Sequence, residues 1–375
     1  MTRAAAREAP ARKLPAHYAG IAAVRLANQG IAEPFAGTPQ QTVSRMLAMQ
    51  AQDYYASLWA VGLRTREATE ADVERAIAER KLVRTWPMRG TLHLLAADDV
   101  RWMLALTGAR MSALNAGRIE RMYGLDAAAM KRCRKIAEKA LRSGEPVSRT
   151  ALYDAFAAAG IETGASRGIN ILGQLSQDAV ICGGPRVGKQ PTYVLADAWL
   201  PESKALPRDE ALSALAARYF ASRGPATAHD LAWWSGLTLK DAQAAVDGAE
   251  RQLVGESIDG VVYWSSAAAD LRAAAVQRVH LLPPFDEYLV AYRDRSIPLD
   301  PAFGPRVIGL NGLFNASLIS GGRVAATWKR KIKTVAEIGL EPLRPLRSSE
   351  VRAAADAVRR YGAFLGLETR LVRLP

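Results

Sequence analysis

The sequence predicts an α+β, predominantly helical chain: three tandem copies of a helix–helix–helix–hairpin unit, followed by a smaller β-rich segment. Three observations carry this. Alanine-rich stretches with apolar residues at helical spacing dominate the chain as far as Val276. Two long segments share one order of elements and one placement of helix-starting prolines. Beyond Val276 the composition shifts to Pro, Gly and short β-like runs. At 375 residues the chain has room for several domains.

Residues 1–17 read as a disordered basic tail. A helix over Tyr18–Gln29 closes at Gly30. Thr38 as N-cap and Pro39 at the first helical position start the next one. It carries Val43, Met46 and Leu47 on one stripe and runs into Gln50-Ala51-Gln52, expected at a helix-to-helix hand-over. Helices over Tyr54–Arg64 and Thr69–Arg80 lead to a hairpin, Leu82–Trp86 and Thr91–Leu95, turning at Pro87-Met88-Arg89-Gly90. Two connector helices over Asp98–Met122 end the first unit at 18–122.

The second unit, 123–203, has a long helix over Leu125–Arg142, a helix TALYDAFAAAG, a helix RGINILGQLSQD and a hairpin around GGPRVGKQP. The third, 204–272, repeats this with DEALSALAARYFAS, HDLAWWSG, TLKDAQAAVDGAE and strands near Val254 and Val262. Pro146 and Leu152 keep the same separation as Pro225 and Leu231, and the second helices end at Gly160 and Gly236. In the more divergent first copy, Gly37-Thr38-Pro39 takes the equivalent cap. This order is that of a winged helix. The remainder, 273–375, reads as a small antiparallel sheet or barrel with one covering helix at Ser348–Tyr361.

A net charge of +13 points to a polyanionic partner, nucleic acid before acidic membrane. No eighteen-residue apolar run predicts a membrane span, and no apolar leader follows the basic start. With two cysteines, Cys133 and Cys182, a cytoplasmic, reducing setting is expected. Four histidines without HExxH or CxxC spacing argue against a metal site, and no cofactor is expected.

Gly183–Gln190 approaches a phosphate-binding loop, but Gln190 lacks the magnesium-binding hydroxyl and a strand follows instead of a helix. A basic hairpin tip offering Arg186 and Lys189 to phosphates is the better reading. Arg89 at the first hairpin's turn is a further contact candidate. So are Arg323, Lys329, Lys331 and Lys333 on a basic ribbon, although charged edge strands also exist to prevent aggregation. The adjacent acids Asp286 and Glu287 point different ways and make a poor catalytic pair. Taken alone, Gln50 and Gln52 read as a satisfied core amide and a helix-terminal one.

Three segments in this order resemble the AlkZ/YcaQ-like winged-helix DNA glycosylases: Gln50-Ala51-Gln52, Arg84-Thr85-Trp86-Pro87-Met88-Arg89-Gly90-Thr91-Leu92-His93 and Leu281-Leu282-Pro283-Pro284-Phe285-Asp286-Glu287-Tyr288-Leu289. The resemblance spans nearly the whole chain. It implies three winged helices with a C-terminal β-barrel, and a monomeric, monofunctional repair enzyme. Such an enzyme hydrolyses the N-glycosidic bond of alkylated purines in duplex DNA, N7-alkylguanine above all; some members unhook interstrand crosslinks. The resemblance makes Gln50 and Gln52 the catalytic pair of the Gln-x-Gln branch, with Asp53 and His93 as assisting candidates. A glutamine amide does not ionise and cannot be a strong base, but it can hold a water. That suffices for N7-alkylguanine, which is cationic and departs as a neutral base without an acid. Bulky lesions predict an open cleft rather than deep base extrusion. The rival reading is a non-enzymatic winged-helix DNA binder or transcriptional regulator. The third helices are poor in Arg and Asn, which argues against readout of base edges.

Overall fold

The computed structural model describes residues 16–203, 205–268, 279–309 and 311–373; residues 1–15 of the expected tail and the boundary at 272/273 lie outside them. Helix α1 (Ala16–Asn28) begins two residues before the expected Tyr18. Helix α2 (Pro39–Met46) starts as its sequence dictates: Thr38 and Gln41 form a reciprocal capping box with Pro39 at the first turn. It stops at Leu47, whose φ of 63° turns the chain out of the helix.

The chain then enters a three-residue strand, β1 (Ala48–Gln50), which corrects the expected helix-to-helix hand-over. Helices α3 (Tyr54–Arg64) and α4 (Glu70–Ala78) come next, N-capped by Asp53 and Thr69. Strands β2 (Leu82–Met88) and β3 (Thr91–Ala96) form the hairpin, and β1 adds to it beside β3, Gln50 facing His93. The connector is α5 (Ala97–Met103), a π-helical turn over Leu104–Gly108 and α6 (Ala109–Tyr123).

The second unit comprises α7 (Ala127–Ala140), β4 (Val147–Ser148), α8 (Arg149–Ala158), α9 (Arg167–Gln177), β5 (Ile181–Val187) and β6 (Gln190–Leu195), closed by the short α10 (Ala196–Trp199). The third comprises α11 (Arg208–Arg223), α12 (Ala228–Ser235), α13 (Leu239–Gly248), β7 (Leu253–Ile258) and β8 (Val261–Ser266). In each unit a short segment just before the next-to-last helix ahead of the hairpin pairs antiparallel with the hairpin's second strand. In the first unit it is β1 on β3, in the second β4 on β6, in the third Ala226 on Trp264. Segment Ala48–Gln50, rather than Gly37-Thr38-Pro39, is therefore the counterpart of Val147–Ser148 and Ala226. The helix caps agree: Asp53, Ser148 and Thr227 each start this next-to-last helix.

The C-terminal part is a curled five-stranded sheet in the order β13-β12-β11-β10-β9. Its members are β9 (Val279–Leu282), β10 (Ser317–Ser320), β11 (Arg323–Ile332), β12 (Val335–Pro342) and β13 (Glu368–Arg373). Two four-residue helices, α14 (Glu287–Val290) and α15 (Gly304–Val307), lie between β9 and β10. Helix α16 (Ser348–Leu365) returns the chain so that β13 runs parallel to β12, and it buries Ala354, Val358, Tyr361 and Phe364 along one stripe. Among the described residues no pairing joins β9 to β13 to close a barrel.

The first unit is the hub. Its Leu26, Val43, Leu58 and Trp59 share one core with Leu282, Ile319, Trp328 and Tyr361 of the C-terminal part. Its Leu47, Val83 and Val100 share another with Leu215, Phe220 and Trp234 of the third unit. Trp86 and Leu92 on its hairpin pack with Phe156 and Ile171 of the second. The glycine at 183 explains how closely the second unit docks: a Cβ there would stand 2.5 Å from the Arg84 carbonyl oxygen. The loop it begins is a hairpin turn, not a phosphate loop.

Candidate active site

Segment Leu47–Asp53 is held from three sides. Inside, the buried Arg223 of α11 donates to the Met46 carbonyl at 2.8 Å and the Ala48 carbonyl at 2.7 Å, bracketing the positive-φ Leu47. A non-glycine residue there costs about 1–3 kcal/mol unless its surroundings fix it, and these two bonds do so. Glu287 of α14 completes the clamp. Its Oε1 accepts the Gln50 main-chain N–H at 2.9 Å. Its Oε2 accepts from Arg223 Nε at 3.0 Å and Nη2 at 2.6 Å, and from Trp234 Nε1 at 2.9 Å. Burial alone would raise this carboxyl, but the Arg223 charge and hydrogen bonds outweigh it and hold the group ionised, below its ordinary value. The neighbouring acid turns the other way. Asp286 makes a two-pronged ion pair with Arg64 of α3, both bonds 2.8 Å and both side chains fully buried. The acids thus turn apart, as the sequence suggested: Asp286 fastens the first unit, and Glu287 ties the third unit to the first.

From the hairpin side, Arg84 donates Nε to the Ala51 carbonyl at 2.9 Å and Nη2 to the Gln52 carbonyl at 3.3 Å. Across it, Arg186 of the second unit stacks its guanidinium on Tyr54 at 4.4 Å and on Tyr55 at 5.2 Å.

The two glutamines differ in exposure. Gln50 is 8% exposed, and its Oε1 accepts the Gln52 N–H at 3.1 Å. Gln52 is exposed, and its Oε1 accepts the Leu92 N–H at 3.3 Å. These N–H donors fix which end of each amide is oxygen. Each Nε2 remains available as a donor, and each oxygen keeps a second lone pair, so each amide can both donate to and accept from a water.

Asp53 caps α3, accepting the Ala56 N–H at 3.0 Å. His93 is fully buried opposite Gln50. Its Nδ1 lies 3.0 Å from the Thr91 carbonyl and must carry the proton, which leaves Nε2 as a lone pair. Burial, and then Arg89, push this imidazole down to about 3, so it is neutral at physiological pH. The excision rate of a glutamine-only site should accordingly change less than about two-fold between roughly pH 5 and 8. A limb inside that range in a pH–rate profile would show another ionising group in the chemistry, since His93 titrates below it. Stability has a definite sign here. The unfolded imidazole takes a proton below about 6.5 and the folded one does not until near 3. Stability present above pH 6.5 is therefore lost at up to about 1.4 kcal/mol per pH unit as the pH falls through that window.

The other expected contacts are dispersed. Lys189 is exposed at the second hairpin's tip, whereas Arg89 is half-buried, its stem packed near Gly236. Lys331 and Lys333 stand exposed at the β11–β12 turn, and Lys329 pairs with Glu341 at 2.6 Å. Arg323 lies at the far end of β11, half-buried and 3.7 Å from Asp300. At about 3.3 Å per strand residue, it is roughly 26 Å from Lys331. Gln52 and Asp53 sit between two cavities. One of about 180 Å³ is lined by Gln52, Trp86, Asn115, Arg118, Gln174 and Gln177 among others. One of about 420 Å³ is lined by Asp53, Trp59, Phe314, Trp328, Lys329 and Arg330 among others. Sequence reasoning does not single out Glu287, Arg223 or Arg84 as site residues. Only the inclusion of Arg84 and Glu287 in the three-segment resemblance hints at them.

A family model described as DNA glycosylase AlkZ-like matches residues 43–364 of this chain. A Streptomyces sahachiroi protein described as an interstrand DNA cross-link repair glycosylase is 25% identical over 344 residues, which cover 84% of this chain and 88% of that protein. The solved structure of Streptomyces sahachiroi DNA glycosylase AlkZ shares the fold with a TM-score of 0.80 at 22% identity, covering 96% of this chain and 100% of that one.

Proposed function

Because the chain belongs to the AlkZ-like DNA glycosylase family, whose enzymes are hydrolases acting on N-glycosyl bonds, we propose that it is a monofunctional enzyme removing alkylated purines from duplex DNA. N7-alkylguanine is the central substrate, and interstrand crosslinks, which the Streptomyces relative's name includes, are a further one. The observation that carries this reading is Gln52: an exposed amide, its backbone gripped by Arg84, on a loop whose one ionisable side chain, Asp53, is engaged as the N-cap of α3 through the Ala56 N–H. A neutral amide holds and orients a water but cannot assist a poor leaving group, which restricts the chemistry to bases that already carry positive charge. The cation leaves as a neutral base; the water then bonds to the sugar carbon and loses its proton to solvent.

The three units serve as winged helices with boundaries near 18–122, 123–203 and 204–272, and act in a monomer. The helices ahead of the second and third hairpins do not present reading faces. Helix α9 buries eight of its eleven residues, and α13 turns Gln243 and Asp247 outward. This supports phosphate contact over base-edge readout, and so an enzyme over a transcriptional regulator. Incubation of the protein with N7-methylated duplex DNA should release free 7-methylguanine and leave abasic sites; binding without release would favour the regulator.

Lysines 331 and 333 at the β11–β12 turn would contact phosphates. Replacing both with alanine should weaken binding equally on any sequence and flatten log K against log salt by about one unit per lost contact. Lys329→Ala should do less, since Glu341 already neutralises it. Equal slopes for all variants, measured by fluorescence anisotropy, would take this turn out of the interface.

A further inference from the structure

Resting on that function, the geometry points to the smaller cavity beside Gln52 as a base-reading subsite that holds the hydrogen-bonding edge of the alkylated purine. Two packed helices face it with polar side chains where apolar ones are usual. Asn115 and Arg118 lie one turn apart on α6, and Asn170, Gln174 and Gln177 follow one stripe of α9. Helix α6 approaches closely because of Gly108, where a Cβ would meet the Gln177 carbonyl oxygen at 2.8 Å. Some of these groups are spoken for: Arg118 donates to Asn170 at 3.0 Å, and Gln174 donates to Asp178 at 3.2 Å.

Gln177 is not. It is 6% exposed, and its buried Oε1 has no hydrogen-bond partner. An unpaired acceptor on a side chain that lines a polar cavity is one that a ligand donor can satisfy once the amide turns toward it. Gln177 also borders a second cavity, of about 410 Å³, lined by Trp102, Leu104 and Leu206 among others. That one does not include Gln52, so only the first joins the orphan acceptor to the proposed chemistry.

The cavity's size sets the ligand class. About 180 Å³ falls below the roughly 300–1,000 Å³ of drug-sized sites and suits one nucleobase rather than a bulky adduct. Trp86 supplies an aromatic wall, and among the described residues no carboxylate lines the space. Selection there would work through paired donors and acceptors rather than countercharge. Guanine presents an acceptor O6 beside the donors N1–H and N2–H, matching Arg118 and a glutamine oxygen. An adenine lacks the N2 donor. A base seated here has left the stack, which departs from the open-cleft expectation.

The test uses Gln177→Leu, which removes the acceptor at similar volume, and Asn115→Ala at a half-exposed position. Single-turnover release of 7-methylguanine and of 3-methyladenine from alkylated duplex is measured. So are the melting temperature and equilibrium dialysis of free 7-methylguanine with the full-length protein on abasic DNA. We expect 7-methylguanine release to fall about ten-fold with 3-methyladenine changing less than two-fold, an equal or higher melting temperature for Gln177→Leu, and weaker retention of the free base. Unchanged release ratios, equal loss on both lesions, or no retention of 7-methylguanine by the wild type would overturn the subsite. Should the wild type retain the base yet excise nothing, the function would be wrong and the subsite would stand.

Discussion

Gln52→Ala is expected to slow single-turnover release of 7-methylguanine by about 100-fold or more while leaving the DNA dissociation constant within about two-fold of wild type. The magnitude is that of removing one preorganised polar group aimed at the reacting centre. The asymmetry between rate and affinity follows from position. Gln52 is exposed between two cavities, and the bonds that fix its loop are made by its main chain and by Leu92, not by DNA. Removing the amide deletes the proposed water's partner and the acceptor of the Leu92 N–H, while the Arg84 grip on the main chain stays. Gln50→Ala should also abolish most activity, but by a different route. Its oxygen is bonded to the Gln52 N–H and its side chain is almost wholly buried. That variant should lose about 1 kcal/mol of stability as well, as expected for one buried hydrogen bond, and Gln52→Ala less, since its bond to the Leu92 N–H is longer and comes from an exposed side chain. Wild-type rates in both variants would remove the catalytic assignment. A large affinity loss in Gln52→Ala would make it a binding residue.

The difference between these glutamines could not be read from the chain itself. Helix starts were legible because their causes are local: Thr38-Pro39, Thr69, Thr227 and Thr238 each bond within their own first turn. Strand β1 was not, because nothing in Ala48-Met49-Gln50 favours a strand over a helix. It becomes one through pairing with β3 more than forty residues later, and through the left-handed turn at Leu47 that Arg223 stabilises. Missing β1 in turn misaligned the first repeat, since a short pairing segment before the next-to-last helix is the feature all three share. Charge was legible as a total but not residue by residue. Lys329, Arg323 and Arg186 all look like free cations in sequence, yet one faces Glu341, one Asp300 and one a tyrosine pair. The cavity residues of α6 and α9 gave no signal, because amides on an amphipathic helix look like solvent-facing ones until the helices are packed.

The second large effect concerns stability. Glu287→Ala should destabilise the protein by about 3–5 kcal/mol in denaturant unfolding, because it leaves Arg223 buried without its counter-ion. It also strips the Gln50 N–H and the Trp234 indole of their acceptor. Glu287→Gln keeps the shape and one acceptor oxygen but not the charge, and should fall between. The pair has a pH signature of its own. Glu287 is held below its ordinary value, so its contribution is present above about pH 4.5 and is lost as the pH falls below that. The decisive variant is the double one, Glu287→Leu with Arg223→Met. Replacing both charges by apolar groups should recover much of the stability, since a buried pair is worth little over well-packed hydrophobes. It cannot restore the bonds to the Met46 and Ala48 carbonyls or to Gln50, so the Leu47 turn loosens and excision should stay low in a folded protein. Recovery of both stability and rate would reduce the clamp to packing. Recovery of stability alone would show that a glutamate from the C-terminal part and an arginine from the third unit hold the catalytic loop in its working shape.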